Sequence, residues 1–196
     1  SGPGTIKQWQ RGSFHFRVTP EASASANRPA SSAELPWNFV KLDFEGKVSG
    51  NLHQRFATFD ERVKAIYAPV AQAGTAFDRQ ALSGPSESAK RAVWVGCDQL
   101  NVSMSEGRPN APNGFITLNA LGRVELEAQK VQANAYQISF EEEKDIFELR
   151  GRGEEMASVY FESGPERGTV PGRVIQINPR TGTHRIVEAG TVTGGR

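Results

Sequence analysis

Residues 122–151 read GRVELEAQKVQANAYQISFEEEKDIFELRG. Apolar side chains alternate with polar ones at Val124, Leu126 and Ala128, again at Val131, Ala133 and Ala135, and again at Ile138 and Phe140. A period of two belongs to a half-buried β-strand, whose successive side chains point to opposite faces. The phase slips between Ala128 and Val131 and again between Ala135 and Ile138. An uncorrected slip would send the apolar set to the wrong face, so a bulge or turn is expected to absorb each one. Glu141 to Lys144 is too polar to continue a buried strand and reads as a turn, after which Ile146, Phe147 and Leu149 resume the pattern. A helix competes, since Val131, Ala135, Ile138 and Glu142 also recur at helical spacing and Glu, Lys and Ala favour helix. Strand, turn, strand is the better account of the repeated strict alternation.

Working outward, a fainter copy of this unit lies earlier in the chain. Gly46-Lys47-Val48 opens it, and it continues through Phe56, Ala57, Phe59, Val63, Ile66 and Tyr67, with Asp60-Glu61-Arg62 as its acidic turn. Repetition of one strand-turn-strand unit suggests an array whose units bury their apolar faces by stacking. The chain therefore reads as one all-β domain, 1–196, with two quasi-repeats at about 38–104 and 114–192. Its first residues, Ser1-Gly2-Pro3-Gly4, and its last, Thr193-Gly194-Gly195-Arg196, suggest a piece of a longer protein.

Composition narrows the classes. The 196 residues are enough to bury a sizeable core, and 23 basic against 22 acidic residues leave a formal charge of +1. That balance, with no block of like charge, argues against a dedicated nucleic-acid surface. No run of about 18 apolar residues is present to cross a bilayer as a helix. The single cysteine, Cys97, excludes an internal disulfide and a Cys-rich zinc site; beside Trp94, Val95 and Leu100 it reads as a buried structural thiol.

Further strands are expected at Phe14 to Val18, Trp37 to Val48, Phe56 to Tyr67, Val93 to Met104, Phe115 to Leu118, Val159 to Phe161 and Val174 to Val187. In the last of these, Asn178-Pro179-Arg180-Thr181-Gly182 carries hairpin-turn chemistry, with Pro179 presetting φ and Gly182 free to take the left-handed conformation. Two long flexible loops are expected, at Pro20 to Ser32 and at Gln72 to Arg91, both rich in small and polar residues, the second with Phe77 and Leu82 as candidate anchors. A Gly/Pro loop is expected from Ser163 to Gly172, and another break from Glu106 to Gly114. Many short strands with turn signals between them point to an all-β sandwich, jelly roll or open roll.

Signals of catalysis are sparse. His15, His53 and His184 have no metal-ligand spacing, and no nucleophile elbow, P-loop or dinucleotide fingerprint occurs. Asp60-Glu61 and Glu141-Glu142-Glu143 supply paired carboxylates, but acidic turns of this kind are usually solvated. His184, beside Arg180 and Arg185, is placed to meet either solvent or a phosphate. The sequence calls for no catalytic residue, no metal and no cofactor, and favours binding or assembly.

The chain resembles the LptA/OstA-like family of periplasmic lipopolysaccharide-transport proteins. The motifs that carry the likeness are Gly122-Arg123-Val124 and Ala133-Asn134-Ala135-Tyr136, then Ile146-Phe147-Glu148-Leu149-Arg150-Gly151, then Ile175-Gln176-Ile177 entering Asn178-Pro179-Arg180-Thr181-Gly182. The likeness covers Gly114 to Val192 and, less closely, Leu42 to Met104. It implies a folded-over stack of antiparallel strands, an open β-jelly roll, in the periplasm of a diderm bacterium. It also implies a lipopolysaccharide or glycolipid ligand lying by its acyl chains in an apolar groove, and association with related domains edge to edge. The residues expected to line that groove are Phe44, Val48, Phe56, Phe59, Val124, Leu126, Val131, Ile138, Phe140, Leu149 and Phe161. Two other classes stay open: a structural or adhesive envelope module without lipid, and a carbohydrate-binding or carbohydrate-acting β-sandwich that stacks Trp9, Trp37 or Trp94 on sugar rings.

Overall fold

The computed structural model describes residues 4–11, 37–51, 53–106, 115–144, 146–163, 166–178 and 183–189. The expected strand at Phe14 to Val18, the loop at Pro20 to Ser32 and the turn residues Pro179 to Gly182 lie outside these. One antiparallel sheet of 12 strands holds most of the described residues. Its strands are β1 Gly4–Arg11, β2 Trp37–Phe44, β3 Val48–Asn51, β4 Phe56–Val70, β5 Val93–Met104, β6 Ile116–Ala128, β7 Val131–Glu141, β8 Ile146–Arg150, β9 Ala157–Ser163, β10 Glu166–Gly172, β11 Val174–Asn178 and β12 Thr183–Glu188. The main path runs β1-β2-β4-β5-β6-β7-β8-β11-β12, with β3 added to β4 and the pair β9-β10 added to β7.

The branches are explained by a crease across the sheet. β3 pairs with residues 56–59 of β4, whereas β2 pairs with 64–70; β8 pairs with 137–141 of β7, whereas β9 pairs with 131–134. Each long strand therefore belongs to two leaves, which fold face to face. The first leaf holds β1, β2, β9, β10 and one half of β4 to β7. The second holds β3, β8, β11, β12 and the other halves.

The crease is written as bulges on alternate strands. Asp60 faces Gln99 and Val63 faces Cys97, so β4 advances three residues where β5 advances two. Leu121 faces Gln137 and Val124 faces Ala135, which puts a second extra residue on β6. An extra residue on one strand bends it and sharpens its twist, which is what a corner needs. Each bulge is a consecutive pair in the left-handed region, Glu61 and Arg62 on β4 (φ 65° and 47°) and Gly122 and Arg123 on β6 (φ 74° and 45°). A Cβ at residue 122 would lie 2.5 Å from Asp98 Oδ2, so both the φ and the space favour glycine there. Outside the corner Arg62 pairs with Glu45, and Arg123 Nη2 with Asp98 Oδ1 at 2.7 Å.

This geometry accounts for the phase slips. The first, after Ala128, is the tight turn at Gln129-Lys130 between β6 and β7. The second, between Ala135 and Ile138, is the crease itself, and β7 carries no inserted residue there. Inward residues flanking the corner are four positions apart on the bulged strands (Phe59 and Val63, Ala120 and Val124) and three apart on the unbulged ones (Cys97 and Leu100, Ala135 and Ile138). Asp60-Glu61-Arg62 is thus a bulge inside β4 and not a turn. Glu142 to Lys144 does turn, joining β7 to β8, with Lys144 N donating to Glu141 O at 3.1 Å.

Two expected loops are replaced by structure. Residues 166–172 form β10, which pairs with β9 along its length. The stretch 72–91 contains a 3₁₀ turn, Arg79–Ser83, and a short helix α1, Glu87–Arg91, capped by Asp78 and Ser86 through bonds from Ala81 N and Ala89 N. Phe77, Leu82 and Ala89 from this segment cover the outer side of the first leaf, packing with Phe39, Ile66, Ala68, Val70 and Trp94. Arg79 clamps the segment down: its guanidinium makes a two-pronged pair with Glu127, Nε to Oε2 at 2.7 Å, and lies 3.7 Å above the Trp94 ring. Helices of this length are below what pattern alone reveals, so the segment's small polar residues read as loop.

Candidate functional site

Between the leaves lies one apolar core that runs from strand to strand across the crease. Of the residues expected to line a groove, Phe44, Phe59, Val124, Leu126, Val131, Ile138, Phe140 and Leu149 all belong to it, each less than a tenth exposed. Phe161 packs on its margin, half-buried. The structure thus brings nine of these residues together. They touch one another: Phe44 and Phe59 meet across the leaves at 5.7 Å between ring centroids, and Phe140 and Phe147 at 4.6 Å. Along its middle the trough is filled by its own side chains.

Val48 and Phe56 stand apart. Val48 faces inward opposite Phe59 but on the edge strand β3, where it is 46% exposed. Phe56 is displaced from the expected groove: three positions before Phe59, it falls on the opposite, outward face by strand alternation and is also exposed.

At its two ends the inner wall comes to the surface. On the β1–β2–β3 side Ile6, Val40 and Val48 are 45%, 36% and 46% exposed, and Ile6 faces Leu42 across β1 and β2. Beside this lip a depression of about 360 Å³ opens by Phe44, with Asp43, Glu45, Arg62 and Lys64 on its rim. Burial alone would raise the Asp43 carboxyl. Hydrogen bonds from Lys41 and from Thr5 Oγ1 (2.7 Å) outweigh it and hold the group below its ordinary range. On the β9–β10–β12 side the wall ends at Phe161 and Ile186, the latter 44% exposed. Here His184 of β12 stacks on Phe161 of β9, 5.0 Å between centroids at 23°. His184, expected at solvent or a phosphate, finds instead a ring partner that depends on the leaf geometry. Of the other histidines, His53 is exposed and His15 lies outside the described residues.

The groups considered for chemistry serve the fold. Asp60 Oδ1 accepts from Gln99 Nε2 at 2.6 Å, Glu142 Oε2 from Ile116 N at 2.8 Å, and Glu141 pairs with Lys144. Cys97 is buried at the crease, and loss of solvation pushes its thiol up to about 12. No group of three or more His, Cys, Asp or Glu is placed to hold a metal among the described residues. The tryptophans form no sugar platform there: Trp94 is buried under Arg79, Trp37 is half-buried against the same outer cluster, and the Trp9 side chain lies outside the described part. No described helix is long and apolar enough to cross a membrane.

Fold and site together define an open, folded-over antiparallel β-sheet with a continuous apolar interior, in which β1, β3, β10 and β12 each have one neighbour among the described strands. No family model matches the sequence, and no curated protein does. Among solved structures the chain is similar to LptH, the LptA-homologous periplasmic component of the lipopolysaccharide transport device of Pseudomonas aeruginosa. Identity is 12%, the match spans 80% of this chain and 89% of that one, and the TM-score is 0.49.

Proposed function

We propose that this chain is a non-enzymatic carrier module of the bacterial envelope, which holds an amphipathic lipid between its leaves by the acyl chains and passes it along a bridge of similar domains. The ligand class is lipopolysaccharide or another glycolipid, the place the periplasm, and the contacts between domains are made by free strand edges. The observation that carries the reading is the inner wall, apolar from lip to lip and surfacing at Ile6, Val40 and Val48 on one side and at Phe161 and Ile186 on the other. The sequence motifs shared with the LptA/OstA-like family supply the ligand class. Each methylene withdrawn from water contributes about 0.8 kcal/mol, so an acyl chain of about ten carbons supplies about 8 kcal/mol toward parting the leaves. Binding by this route needs no catalytic group.

A second reading, an envelope scaffold that holds no lipid, is favoured by the filled middle of the trough. Native mass spectrometry of protein purified from a lipid-bearing envelope separates the two. The carrier reading expects lipid-bound mass, lost in Val48→Glu and Ile6→Glu, two positions exposed enough for the new carboxylate to reach water. Unliganded mass alone, with no uptake of lipopolysaccharide or a fluorescent fatty acid in solution, leaves the scaffold.

A further inference from the structure

β12 belongs to the second leaf through its pairing with β11, yet its inward side chains touch the first leaf. His184 stacks on Phe161 of β9. Two residues on, Ile186 lies against β10: a Cβ built on Gly172 would be 3.2 Å from Ile186 Cγ2. No other described strand pairs with β12, and its register on β11 shifts between Val174 and Ile175. Its described side chains, 184–188, are all exposed. An edge strand held by one neighbour and a bulged register is among the parts of a sheet that open most readily. Behind it Phe161 continues into the main core beside Val159 and Ile177.

From this we infer that β12 is a displaceable strap across one lip of the trough, latched by His184 on Phe161 and by Ile186 on Gly172, and that an acyl chain reaches the Phe161 end of the trough when the strap lifts. The inference rests on the carrier reading for its ligand, though not for the motion. At the opposite lip Ile6, Val40 and Val48 are exposed, and no described strand lies across them as β12 lies across Phe161.

The test locks the strap. In Gly172→Cys/Ile186→Cys the two new Cβ atoms fall within a bond length of the present 3.2 Å contact, which suits a disulfide. Cys97 is buried and stays out of the exchange. With a pyrene-labelled fatty acid as probe, oxidation should slow both association and release about tenfold relative to the reduced form of the same variant. His184→Ala should speed both about fivefold and leave the Kd within about twofold, the behaviour of a gate and not of a wall. Equal rates in oxidised and reduced protein, or in His184→Ala a change confined to one of the two rates and so carried into the Kd, overturn the strap. Hydrogen exchange without any lipid decides the same point if no form takes up the probe, a result that would count against the carrier reading alone. Oxidation should slow exchange of β12 amides about tenfold while those β11 shares with β8 are unchanged; no selective slowing means that the strap does not lift.

Discussion

Gly122 and Cys97 sit within one corner of the sheet and answer to different physics. At Gly122 a side chain meets both a positive φ and the Asp98 carboxylate, so Gly122→Ala should cost about 2–3 kcal/mol in a denaturant titration. Glu61 holds a similar φ without being glycine, and Glu61→Gly should be neutral or gain up to about 1 kcal/mol in the same assay. Cys97 has its folded pKa raised from an ordinary 9.0 to about 12, burial being the main cause. The folded state therefore keeps its proton where the unfolded chain loses it. The stability this contributes is complete below pH 9 and is lost as pH rises toward 12. Relative to Cys97→Ala, unfolding free energy should fall by about 1.4 kcal/mol per pH unit above 9. Glu148 behaves oppositely. A hydrogen bond from Gln176 Nε2 at 2.8 Å, helped by Arg150 and opposed by burial, holds its carboxyl low, so its contribution is present at neutral pH and disappears as pH falls through the carboxylate range. Acid titration of wild type against Glu148→Gln reads that loss. Little of this was legible in sequence. Cys97 was, because its apolar neighbours announce burial, but nothing in Glu61-Arg62 distinguishes a left-handed bulge from a solvated turn.

At the scale of elements, the strands were legible and their corner only half so. β7 shows the crease in its own pattern, since Ala135 and Ile138 both face inward three positions apart and break the alternation. On β6 the bulge restores the phase, Ala120 and Val124 being four apart, and the corner vanishes from the sequence. In the covering segment 72–91 the anchors Phe77 and Leu82 were legible and the short helical turns were not, because its fold depends on the partners Phe39, Ile66 and Trp94, which lie elsewhere in the chain. Arg79→Ala should loosen it, at a cost of about 1–2 kcal/mol from the stacked guanidinium and a half-exposed ion pair. A red shift of Trp94 emission, resolved in a variant with Trp9 and Trp37 replaced by Phe, measures the uncovering. Removing residues 72–91 outright should expose the apolar outer patch and bring dye binding and association in size-exclusion chromatography.

For the whole molecule, the groove residues named from sequence were gathered because one face of an alternating strand must find another such face. Val124, Leu126, Val131, Phe140 and Leu149 needed nothing more than period two. What the sequence withheld is how far the leaves close on each other, since packing distance is a property of pairs. Phe140→Ala, at 1% exposure and in ring contact with Phe147, should lose about 3–5 kcal/mol in thermal or denaturant unfolding. The crease has one more implication. Because β4, β5, β6 and β7 each cross it, no cut in the backbone separates one whole leaf from the other; a fragment that keeps those strands carries matching slices of both. Partial proteolysis should leave either intact molecules or small peptides, and only a hairpin whose strands themselves cross the corner would widen both halves together, as adding a pleat extends both covers of a folded fan.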